Sequence, residues 1–222
     1  MQYLFEDKSG EQNIILRGDS HHYIFKVRRH RQNELIALRN LKDNILYLYK
    51  IISIDKKEAT LELMEEKSLQ IIAKKELHIG WCLIDIKNIE KVLPSLNEIG
   101  VSKITFISCA RSQQNNKIDI QRLQRIVLNS SQQCGRSRMM EFETVNSLKD
   151  FIALYPDSYM LNFSQNRISN NSDIETIVIG CEGGFTDKEI SFFDTSKIVG
   201  FDTPLILKSE SAVCAVAGKL LV

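Results

Sequence analysis

The chain has few cysteines, and their spacing excludes two common ways of stabilising a small domain. Five cysteines are scattered through 222 residues, and no two of them stand in C-x-x-C spacing. An odd, scattered set argues against a disulfide framework and against a zinc site, and it favours a reducing cytoplasm. A chain of this length buries roughly 70% of its unfolded surface, so its core needs no such cross-links. The cysteines are Cys82, Cys109, Cys134, Cys181 and Cys214.

Long apolar runs and a strong charge imbalance are also absent. The N-terminus has no apolar signal core, and no apolar run is long enough to span a bilayer, which predicts a cytoplasmic protein with no membrane partner. The 29 Lys and Arg residues nearly balance the 28 Asp and Glu residues, so the whole protein is not a polycation. Any contact with nucleic acid therefore depends on basic residues that are clustered locally.

One stretch, 175–190, combines a strand, a glycine-rich loop and the start of a helix. The β-branched run Thr176–Ile179 predicts a buried strand that ends at Gly180. Thr186 and Glu189 then form a capping box, in which both side chains satisfy free amide donors as a helix begins. Glycines between these elements allow a ligand to approach the backbone closely, so the stretch predicts a ligand platform. A tight strand-to-helix turn without a ligand is the alternative.

The same glycine loop lacks the features of two familiar nucleotide sites. No lysine follows Gly184, as a phosphate loop requires, and the glycines do not follow the G-x-G-x-x-G pattern of dinucleotide sites. Glu182 would also repel a triphosphate. A nucleoside triphosphate is therefore not the expected ligand, and a dinucleotide-dependent oxidoreductase is only a distant hypothesis.

The first third of the chain is rich in short strand patterns. Polar or charged turns separate five such runs, which predicts a small barrel or sandwich. A charged stretch without clear periodicity, 63–75, follows, and we place the junction of two domains there. The predicted strands are 3–5, 13–16, 34–38, 45–49 and 59–63.

Two regions of the sequence concentrate basic residues. In the first, 21–31, basic residues stand beside aromatic ones, a combination that suits phosphate contacts and stacking on RNA bases. A solvated helix face whose apolar members pack on the strands is the alternative. The second region, 111–138, carries six basic residues and a single acid. The basic residues clustered in the first region are Lys26, Arg28, Arg29 and Arg31.

From Leu77 onward the pattern alternates between strands and helices, which predicts an α/β domain. A strand at 78–84 precedes a helical pattern that ends at Gly100, a predicted C-cap. The chain ends on an apolar, alanine-rich helix, for which Ser209 is the predicted N-cap. Because this helix is apolar on nearly all sides, we expect it to be buried. Burial within its own domain and burial against a partner subunit both remain open.

Five short motifs, in order along the chain, resemble one family of RNA-modifying enzymes. I-G-C-E-G-G-F-T-D-K-E-I at 179–190 resembles the G-P-E-G-G-[LF]-[ST]-x-x-E segment of the SPOUT-class methyltransferases that modify N3 of a uridine in 16S ribosomal RNA. L-K-S-E-S-A at 207–212 is similar to the family's L-R-x-E-T-A, and Q-Q-C-G-R at 132–136 is similar to its E-Q-[CS]-G-R. E-I-G-V at 98–101 resembles E-L-G-V, and 22–28 resembles H-x-x-x-V-L-R. The matches cover nearly the whole chain.

The resemblance implies an α/β protein of two domains. The first, 1–70, would be a PUA-like β-barrel that binds RNA, and the second, 71–222, would be a SPOUT methyltransferase domain with a trefoil knot. The implied methyl donor is S-adenosylmethionine, and no metal is expected. The implied substrate is N3 of a specific uridine in 16S ribosomal RNA, within the small ribosomal subunit. The implied assembly is a homodimer whose active site lies at the interface.

The resemblance also assigns expected roles to individual residues. Glu210 is the candidate base or substrate-orienting acid, and Arg136 and Lys208 would stabilise negative charge on the uracil oxygens. For Glu210 the structural alternative is a favourable interaction with the dipole of the helix that it opens. The expected RNA contacts are Lys26, Arg28, Arg29 and Arg111. The residues expected around the cofactor are Leu161, Asn162, Ile179, Gly180, Glu182, Gly183, Gly184, Leu205, Ile206 and Leu207.

The chain departs from the family pattern at several positions. Cys181 stands in place of the family's proline, and Gln132 stands in place of a glutamate. Lys208 keeps the charge of an arginine without its fork geometry. Residues 202–205 lack a glycine and an arginine that the family carries there. Two alternatives therefore stay open: a SPOUT methyltransferase for another RNA, and a non-catalytic module for RNA binding or ribosome assembly.

Overall fold

A computed structural model of the chain describes residues 2–112 and 117–222. The chain divides into two compact units, and the first contains the residues up to Ile72 together with Leu128–Met139. The second contains Ala73–Val127 and Met140–Val222. The sequence did not indicate that Leu128–Met139 contributes to the first unit, and the predicted boundary between 1–70 and 71–222 stays a prediction.

The first unit is built on one five-stranded sheet. Its strands are β1 (Leu4–Phe5), β2 (Asn13–Arg17), β3 (Leu35–Arg39), β4 (Ile45–Ile54) and β5 (Glu58–Ser68). In the sheet they lie in the order β1-β3-β4-β5-β2, and only the β1–β3 pair is parallel. Alternation along β2 shows how the core forms, because Ile14 and Leu16 are buried and Ile15 between them is exposed.

A helical segment connects β2 to β3. It consists of α1 (Gly18–His22) and a π-helical turn (Tyr23–Val27). Ile24 is buried in the core, and Tyr23 and Phe25 pack against the same cluster of apolar side chains. Three apolar members of the first basic region therefore pack on the sheet, whereas Val27 is exposed.

The second unit contains a six-stranded sheet in which every pair is parallel. Its strands are β6 (His78–Cys82), β7 (Lys103–Ile107), β8 (Glu141–Val145), β9 (Tyr159–Leu161), β10 (Thr176–Ile179) and β11 (Ile198–Val199). The sheet order is β11-β9-β10-β6-β7-β8, so β7 and β8 follow β6 on one side, and on the other side β10 lies between β6 and β9, with β11 beyond β9. In open α/β sheets, ligands bind at the carboxyl ends of the strands next to the point where the strand order reverses, which is here between β6 and β10.

Among the residues that the structure describes, four helices connect the strands of this sheet, and a fifth follows the last strand. They are α2 (Ile86–Ile99), α3 (Ile120–Cys134), α4 (Leu148–Leu154), α5 (Asp187–Ile190) and α6 (Ser209–Leu221), with a 3-10 turn at Thr195–Lys197. Gly100 ends α2 with a φ of +114°, as predicted. Residues 113–116 of the predicted second basic region lie outside the described residues. Within 2–112 and 117–222, none of the helices combines the length and the apolar composition that crossing a bilayer requires.

Two features of the second unit were not anticipated from the sequence. β8 lies at the edge of the sheet, and Glu141 and Thr144 are exposed, so the strand lacks the continuous apolar run that marks a buried one. Cys82 and Cys109 are joined by a disulfide with a Cα–Cα distance of 5.7 Å, so the expectation from the cysteine spacing that the chain has no disulfide framework was wrong for this pair. The register of the parallel strands explains this pair, because it places Cys82 opposite Ile107, which is close to Cys109 in the chain.

The loop that follows β9 closes around Gly200. The amide of Gly200 donates to the carbonyl oxygen of Asn166 over 2.8 Å, and its own carbonyl oxygen accepts from the amide of Ile168 over 2.9 Å. A Cβ added to Gly200 would lie 2.8 Å from the carbonyl oxygen of Asn162 and 3.0 Å from the amide nitrogen of Ser164. These are backbone atoms, so the loop leaves no room for a side chain at this position.

A polar network crosses β6, β7 and β8. His78 Nε2 is 2.8 Å from Thr105 Oγ1, whose hydroxyl donates to Glu143 Oε2 over 2.9 Å. The same carboxylate oxygen lies 2.9 Å from Lys103 Nζ and accepts from the Tyr155 hydroxyl over 2.7 Å. Because the single hydroxyl proton of Thr105 is given to the carboxylate, His78 donates to Thr105 through Nε2, which fixes its neutral tautomer.

We predict that the free energy of unfolding falls as the pH drops below about 6.5. Burial and the positive charge of Lys103 lower the pKa of His78 to about 4, although Glu143 opposes this shift. The unfolded state therefore binds a proton before the folded state does. A shift of this size corresponds to about 3 kcal/mol, fully present above the ordinary histidine pKa of about 6.5 and lost as the pH falls to about 4.

Urea unfolding of the wild-type protein and the His78→Gln variant tests this expectation. The measurements run from about pH 7.5 to about pH 4, an interval that includes the histidine pKa of the unfolded state and that of the folded state. The variant should lack the loss of stability in that interval. His22→Gln is the matched control, because His22 is exposed and should leave the wild-type pH profile unchanged. A wild-type stability that stays constant from neutral pH to pH 5, about midway between the two pKa values, would contradict the assignment to His78.

Candidate functional site

A cavity of about 730 Å³ opens at the carboxyl ends of β9 and β10. It is lined by the loop after β9, the glycine loop after β10 and the connection from β11 into α6. Its volume lies in the range of cofactor sites. Of the residues predicted to surround the cofactor, all except Gly183 line this cavity: Leu161, Asn162, Ile179, Gly180, Glu182, Gly184, Leu205, Ile206 and Leu207. Their role in binding stays a prediction.

The glycine loop, 180–186, is held in a tight turn. The amide of Gly184 donates to the carbonyl oxygen of Cys181 over 2.9 Å, and Gly184 has a φ of +63°, in the left-handed region that favours glycine. Gly183 is packed closely, because a Cβ added there would lie 3.2 Å from the Cβ of Arg111. The turn therefore needs glycine at one position for its backbone conformation and at the other for a close contact.

The predicted capping box at the start of α5 is confirmed. Thr186 Oγ1 accepts from the amide of Glu189 over 3.2 Å, and Glu189 Oε2 accepts from the amide of Thr186 over 2.8 Å. Glu189 Oε1 also accepts from the amide of Ala110 over 2.9 Å. Burial raises the pKa of Glu189, but the hydrogen bonds from Ala110 and Thr186 outweigh it and hold this pKa below its usual value. The carboxylate thus joins the loop after β7 to the helix that follows the glycine loop.

Arg111 makes a second connection between the same two loops. Its Nη1 donates to the carbonyl oxygens of Gly183 over 2.8 Å and of Phe185 over 3.1 Å. The predicted contact of Arg111 with RNA stays a prediction, and the structure adds a role in holding the glycine loop. The loop after β7 therefore supports the glycine loop through both Ala110 and Arg111.

The start of α6 corrects the prediction for Ser209. Lys208 occupies the N-cap position, and Ser209 is the first helical residue. The Ser209 hydroxyl donates to the carbonyl oxygen of Gly180 over 2.6 Å and accepts from Trp81 Nε1 over 2.9 Å. It is therefore engaged with the glycine loop and with β6 instead of capping its own helix. The residues of α6 that are buried are Ser209, Ala212, Val213, Val216, Ala217 and Leu220.

The three predicted catalytic residues have different surroundings. Lys208 lines the cavity and is exposed. Glu210 does not line it, and its Oε2 is buried without a hydrogen-bond partner among the described residues. Arg136 belongs to the first unit, where it is buried and its Nε donates to the carbonyl oxygen of Arg138 over 2.8 Å. The catalytic roles of these three residues stay predictions.

The basic residues of the first basic region, 21–31, face solvent. Arg28 is held by Tyr23, because its Nε donates to the Tyr23 hydroxyl over 2.9 Å and its guanidinium lies 5.4 Å from the centre of the ring. Arg29 has a φ of +60°, in the left-handed region. Exposed cations beside an aromatic ring suit contact with phosphates. The exposed basic residues are Lys26, Arg28, Arg29 and Arg31.

Several cavity residues were not predicted from the sequence. Phe163 lines the cavity and is 81% exposed, an unusual state for a phenylalanine. Arg167 also lines it, and its Nη1 donates to the carbonyl oxygens of Ser164 over 2.7 Å and of Phe201 over 2.8 Å. Phe163 was predicted to end a strand at 159–163, but β9 ends at Leu161, and Arg167 lies in a polar stretch without periodicity that gave no indication of it. In the part of the chain that the structure describes, no three His, Cys, Asp or Glu residues cluster in a way that suits a metal ion.

Comparisons with known proteins cover almost the whole chain. A family model described as an RNA methyltransferase domain matches residues 72–221, and another described as an RNA methyltransferase PUA domain matches residues 16–64. The chain is 38% identical to the ribosomal RNA small subunit methyltransferase E of Helicobacter pylori, over 98% of each chain.

Two solved structures share the fold. A probable rRNA-methyltransferase from Porphyromonas gingivalis has a TM-score of 0.83 at 20% identity, over 98% of this chain and 95% of that one. The ribosomal RNA small subunit methyltransferase E from Neisseria gonorrhoeae, bound to S-adenosyl methionine, has a TM-score of 0.80 at 18% identity, over 98% and 95% of the two chains.

Proposed function

Since the chain belongs to the ribosomal RNA small subunit methyltransferase E family, we propose that it methylates N3 of a specific uridine in 16S ribosomal RNA. Family membership makes the chain an RNA methyltransferase. The position of the methyl group, the methyl donor and the residues that act on the substrate are our proposal. The proposed donor is S-adenosylmethionine.

The observation that carries the proposal is the cavity formed around the glycine loop. Gly180 and Gly184 let the backbone approach a ligand, and apolar side chains such as Leu161 and Ile179 suit the faces of an adenosine. Among the described residues that line the cavity, Glu182 is the one acid, and it would attract the sulfonium of the ligand, whereas the cations Arg167 and Lys208 would attract its carboxylate. S-adenosylmethionine fits these donors and charges, and the residues expected around it would hold it largely through backbone groups.

The chemistry requires removal of a proton and precise placement of the uracil. Bound in the cavity, S-adenosylmethionine supplies a methyl group on a sulfonium. Uridine N3 carries a proton and is a poor nucleophile until a base removes it, and Glu210 is the proposed base. Lys208 lies in the cavity lining, where its ammonium would stabilise negative charge on a uracil oxygen, and Arg136 is proposed for the same task. Holding N3 in line with the methyl group contributes through proximity and orientation.

The finer points of architecture and assembly are also proposals. We propose that the first unit is a PUA-like barrel that binds RNA through Lys26, Arg28 and Arg29, and that the boundary lies near residue 70. We propose a trefoil knot in the second unit, which the closure of the loop after β9 around Gly200 supports. The protein would act as a homodimer on the small ribosomal subunit in the cytoplasm.

Two measurements test the proposed function. Calorimetric titration of the purified protein with S-adenosylmethionine should show saturable binding in the micromolar range, roughly 1 μM to 1 mM, and NADH as a control should not bind. Incubation with small ribosomal subunits that lack the modification should then place one methyl group on N3 of a uridine in 16S ribosomal RNA.

The other outcomes would favour the two alternatives. A folded protein that binds RNA but not S-adenosylmethionine would be a non-catalytic module for RNA binding or ribosome assembly. Methyl transfer to a transfer RNA or to the large ribosomal RNA, with none to 16S ribosomal RNA, would identify a methyltransferase for another RNA.

A further inference from the structure

Three elements of the second unit meet at one buried hydroxyl. Ser209, the first residue of α6, is 5% exposed, and Trp81, near the end of β6, is fully buried. The indole Nε1 of Trp81 donates to Ser209 Oγ over 2.9 Å. Ser209 Oγ in turn donates to the carbonyl oxygen of Gly180 over 2.6 Å. A hydroxyl has one proton, so the direction of both hydrogen bonds is fixed.

The acceptor at the end of this chain belongs to the wall of the cavity. Gly180 begins the glycine loop, and Gly180 and Ser209 both line the cavity. The sheet register places Trp81 directly opposite Ile179, the residue before Gly180. Because the peptide group is planar, holding the Gly180 carbonyl also sets the direction of the next amide, that of Cys181, which also belongs to the cavity wall.

We propose that Ser209 and Trp81 are positioning residues that hold the Gly180 peptide in the orientation that binds the cofactor. This inference rests on the proposed function, because the ligand is S-adenosylmethionine. Glycine has no side chain to restrict its backbone, so this peptide depends on a partner from outside the loop. Ser209 supplies that partner, and Trp81 keeps the hydroxyl proton directed at the carbonyl oxygen.

Trp81 also provides a fluorescence signal for the binding of S-adenosylmethionine. It is the only tryptophan in the sequence, so the intrinsic tryptophan fluorescence of the protein comes from this one side chain. Its indole N–H reaches the cavity wall through a single hydroxyl. Titration with S-adenosylmethionine should therefore change the emission of Trp81 saturably, with the same Kd that calorimetry gives.

The Ser209→Ala variant should bind S-adenosylmethionine about tenfold more weakly than the wild-type protein. Its affinity for ribosomal RNA should not change, because the proposed contact concerns only the cofactor loop. The control is Ser95→Ala, since Ser95 is an exposed serine within α2, and this variant should keep the wild-type Kd.

A double variant separates positioning from general stability. Ser209→Ala alone leaves the buried indole N–H without its acceptor, which lowers stability whatever the role of Ser209. Adding Trp81→Phe removes that unpaired donor but leaves a cavity in the core, so the stability of the double variant is compared with that of Trp81→Phe alone, to which Ser209→Ala should add little further loss. The Gly180 carbonyl stays unsupported in the double variant, so the affinity for S-adenosylmethionine should remain about tenfold weaker. Calorimetry and thermal unfolding provide the two readouts.

The binding and stability measurements can overturn either the positioning role of Ser209 or the proposed function as a whole. Wild-type affinity in the Ser209→Ala variant would overturn the positioning role, and so would wild-type affinity in the double variant. A wild-type protein that does not bind S-adenosylmethionine would overturn the proposed function and this inference with it. Binding by the wild-type protein therefore decides the function, and the variants decide the role of Ser209.

Discussion

The Gly200→Ala variant is expected to have a free energy of unfolding about 3 kcal/mol lower than that of the wild-type protein. The added Cβ would lie 2.8 Å from the carbonyl oxygen of Asn162 and 3.0 Å and 3.1 Å from the backbone nitrogen and oxygen of Ser164. Real Cβ atoms essentially never approach closer than about 3 Å, and a backbone cannot move aside as a flexible side chain does. Relief of this contact would pull the loop away and weaken its hydrogen bonds to Gly200.

The same substitution at Gly218 is the matched control. Gly218 lies in α6, and an added Cβ there meets no heavy atom within 4 Å. Alanine favours a helix more than glycine does, so Gly218→Ala should stabilise the protein by about 0.5–1 kcal/mol. Urea unfolding of both variants gives the two free energies. Equal stabilities for Gly200→Ala and the wild-type protein would show that the loop does not close tightly around Gly200.

The Gly200→Ala variant should also affect the cavity. Asn162 and Ser164 belong to the loop that closes around Gly200, and both line the cavity. A shift of this loop therefore moves one wall of the proposed cofactor site. We expect weaker binding of S-adenosylmethionine in the part of the population that stays folded, which calorimetry at low temperature would measure.

Local patterns were enough to predict much of the fold. The alternation of Ile14, Ile15 and Leu16 marks one buried face of a strand, and this information lies within a few consecutive residues. The capping box of Thr186 and Glu189 and the C-cap at Gly100 are equally local, and both were confirmed. The family resemblance, which rested on five motifs, is confirmed by the matching family models and by the relative in Helicobacter pylori.

Contacts between distant residues were beyond the reach of such patterns. Ser209 has the residue type and position of an N-cap, yet its partners Gly180 and Trp81 lie 29 and 128 residues away in sequence. A buried hydroxyl satisfies whichever polar groups the tertiary structure brings to it, and these groups outcompeted the local cap. The same reason explains why the sequence did not predict the contacts of Arg111 with the glycine loop. Arg111 was expected to contact RNA, and its guanidinium also donates to carbonyl oxygens of that loop.

The sequence predicted the main elements of the candidate site but not the cavity residues in the loop after β9. Motif similarity located the glycine loop and the start of α6, because both depend on short sequence signatures. Phe163 and Arg167 belong to an irregular loop, where neither periodicity nor turn chemistry distinguishes a cavity residue from an ordinary surface residue. The resemblance gave no indication of the exposed Phe163 beside the predicted Leu161 and Asn162.

The Glu210→Gln variant is expected to lower the rate of methyl transfer in a single turnover by a factor of about 10²–10⁴, the usual contribution of a positioned base. Glutamine keeps the shape of glutamate and cannot take the proton from uridine N3. The affinity for S-adenosylmethionine should stay close to the wild-type value, because Glu210 does not line the cavity. Rapid-quench kinetics with saturating cofactor and small ribosomal subunits measures this rate. Glu175→Gln, at an exposed glutamate just before β10, is the matched control.

One buried carboxylate oxygen of Glu210 bears on whether this residue has a catalytic or a structural role. Its Oε2 is buried and has no hydrogen-bond partner in the described part of the chain, which is unfavourable for a carboxylate that serves only the stability of the fold. A glutamate that only interacts with the dipole of α6 would contribute about 0.3–1 kcal/mol to stability and nothing to the rate. The Glu210→Gln variant should therefore lose activity with a stability change below about 1 kcal/mol. Unchanged single-turnover methylation would exclude Glu210 as the base and leave the dipole interaction as its role.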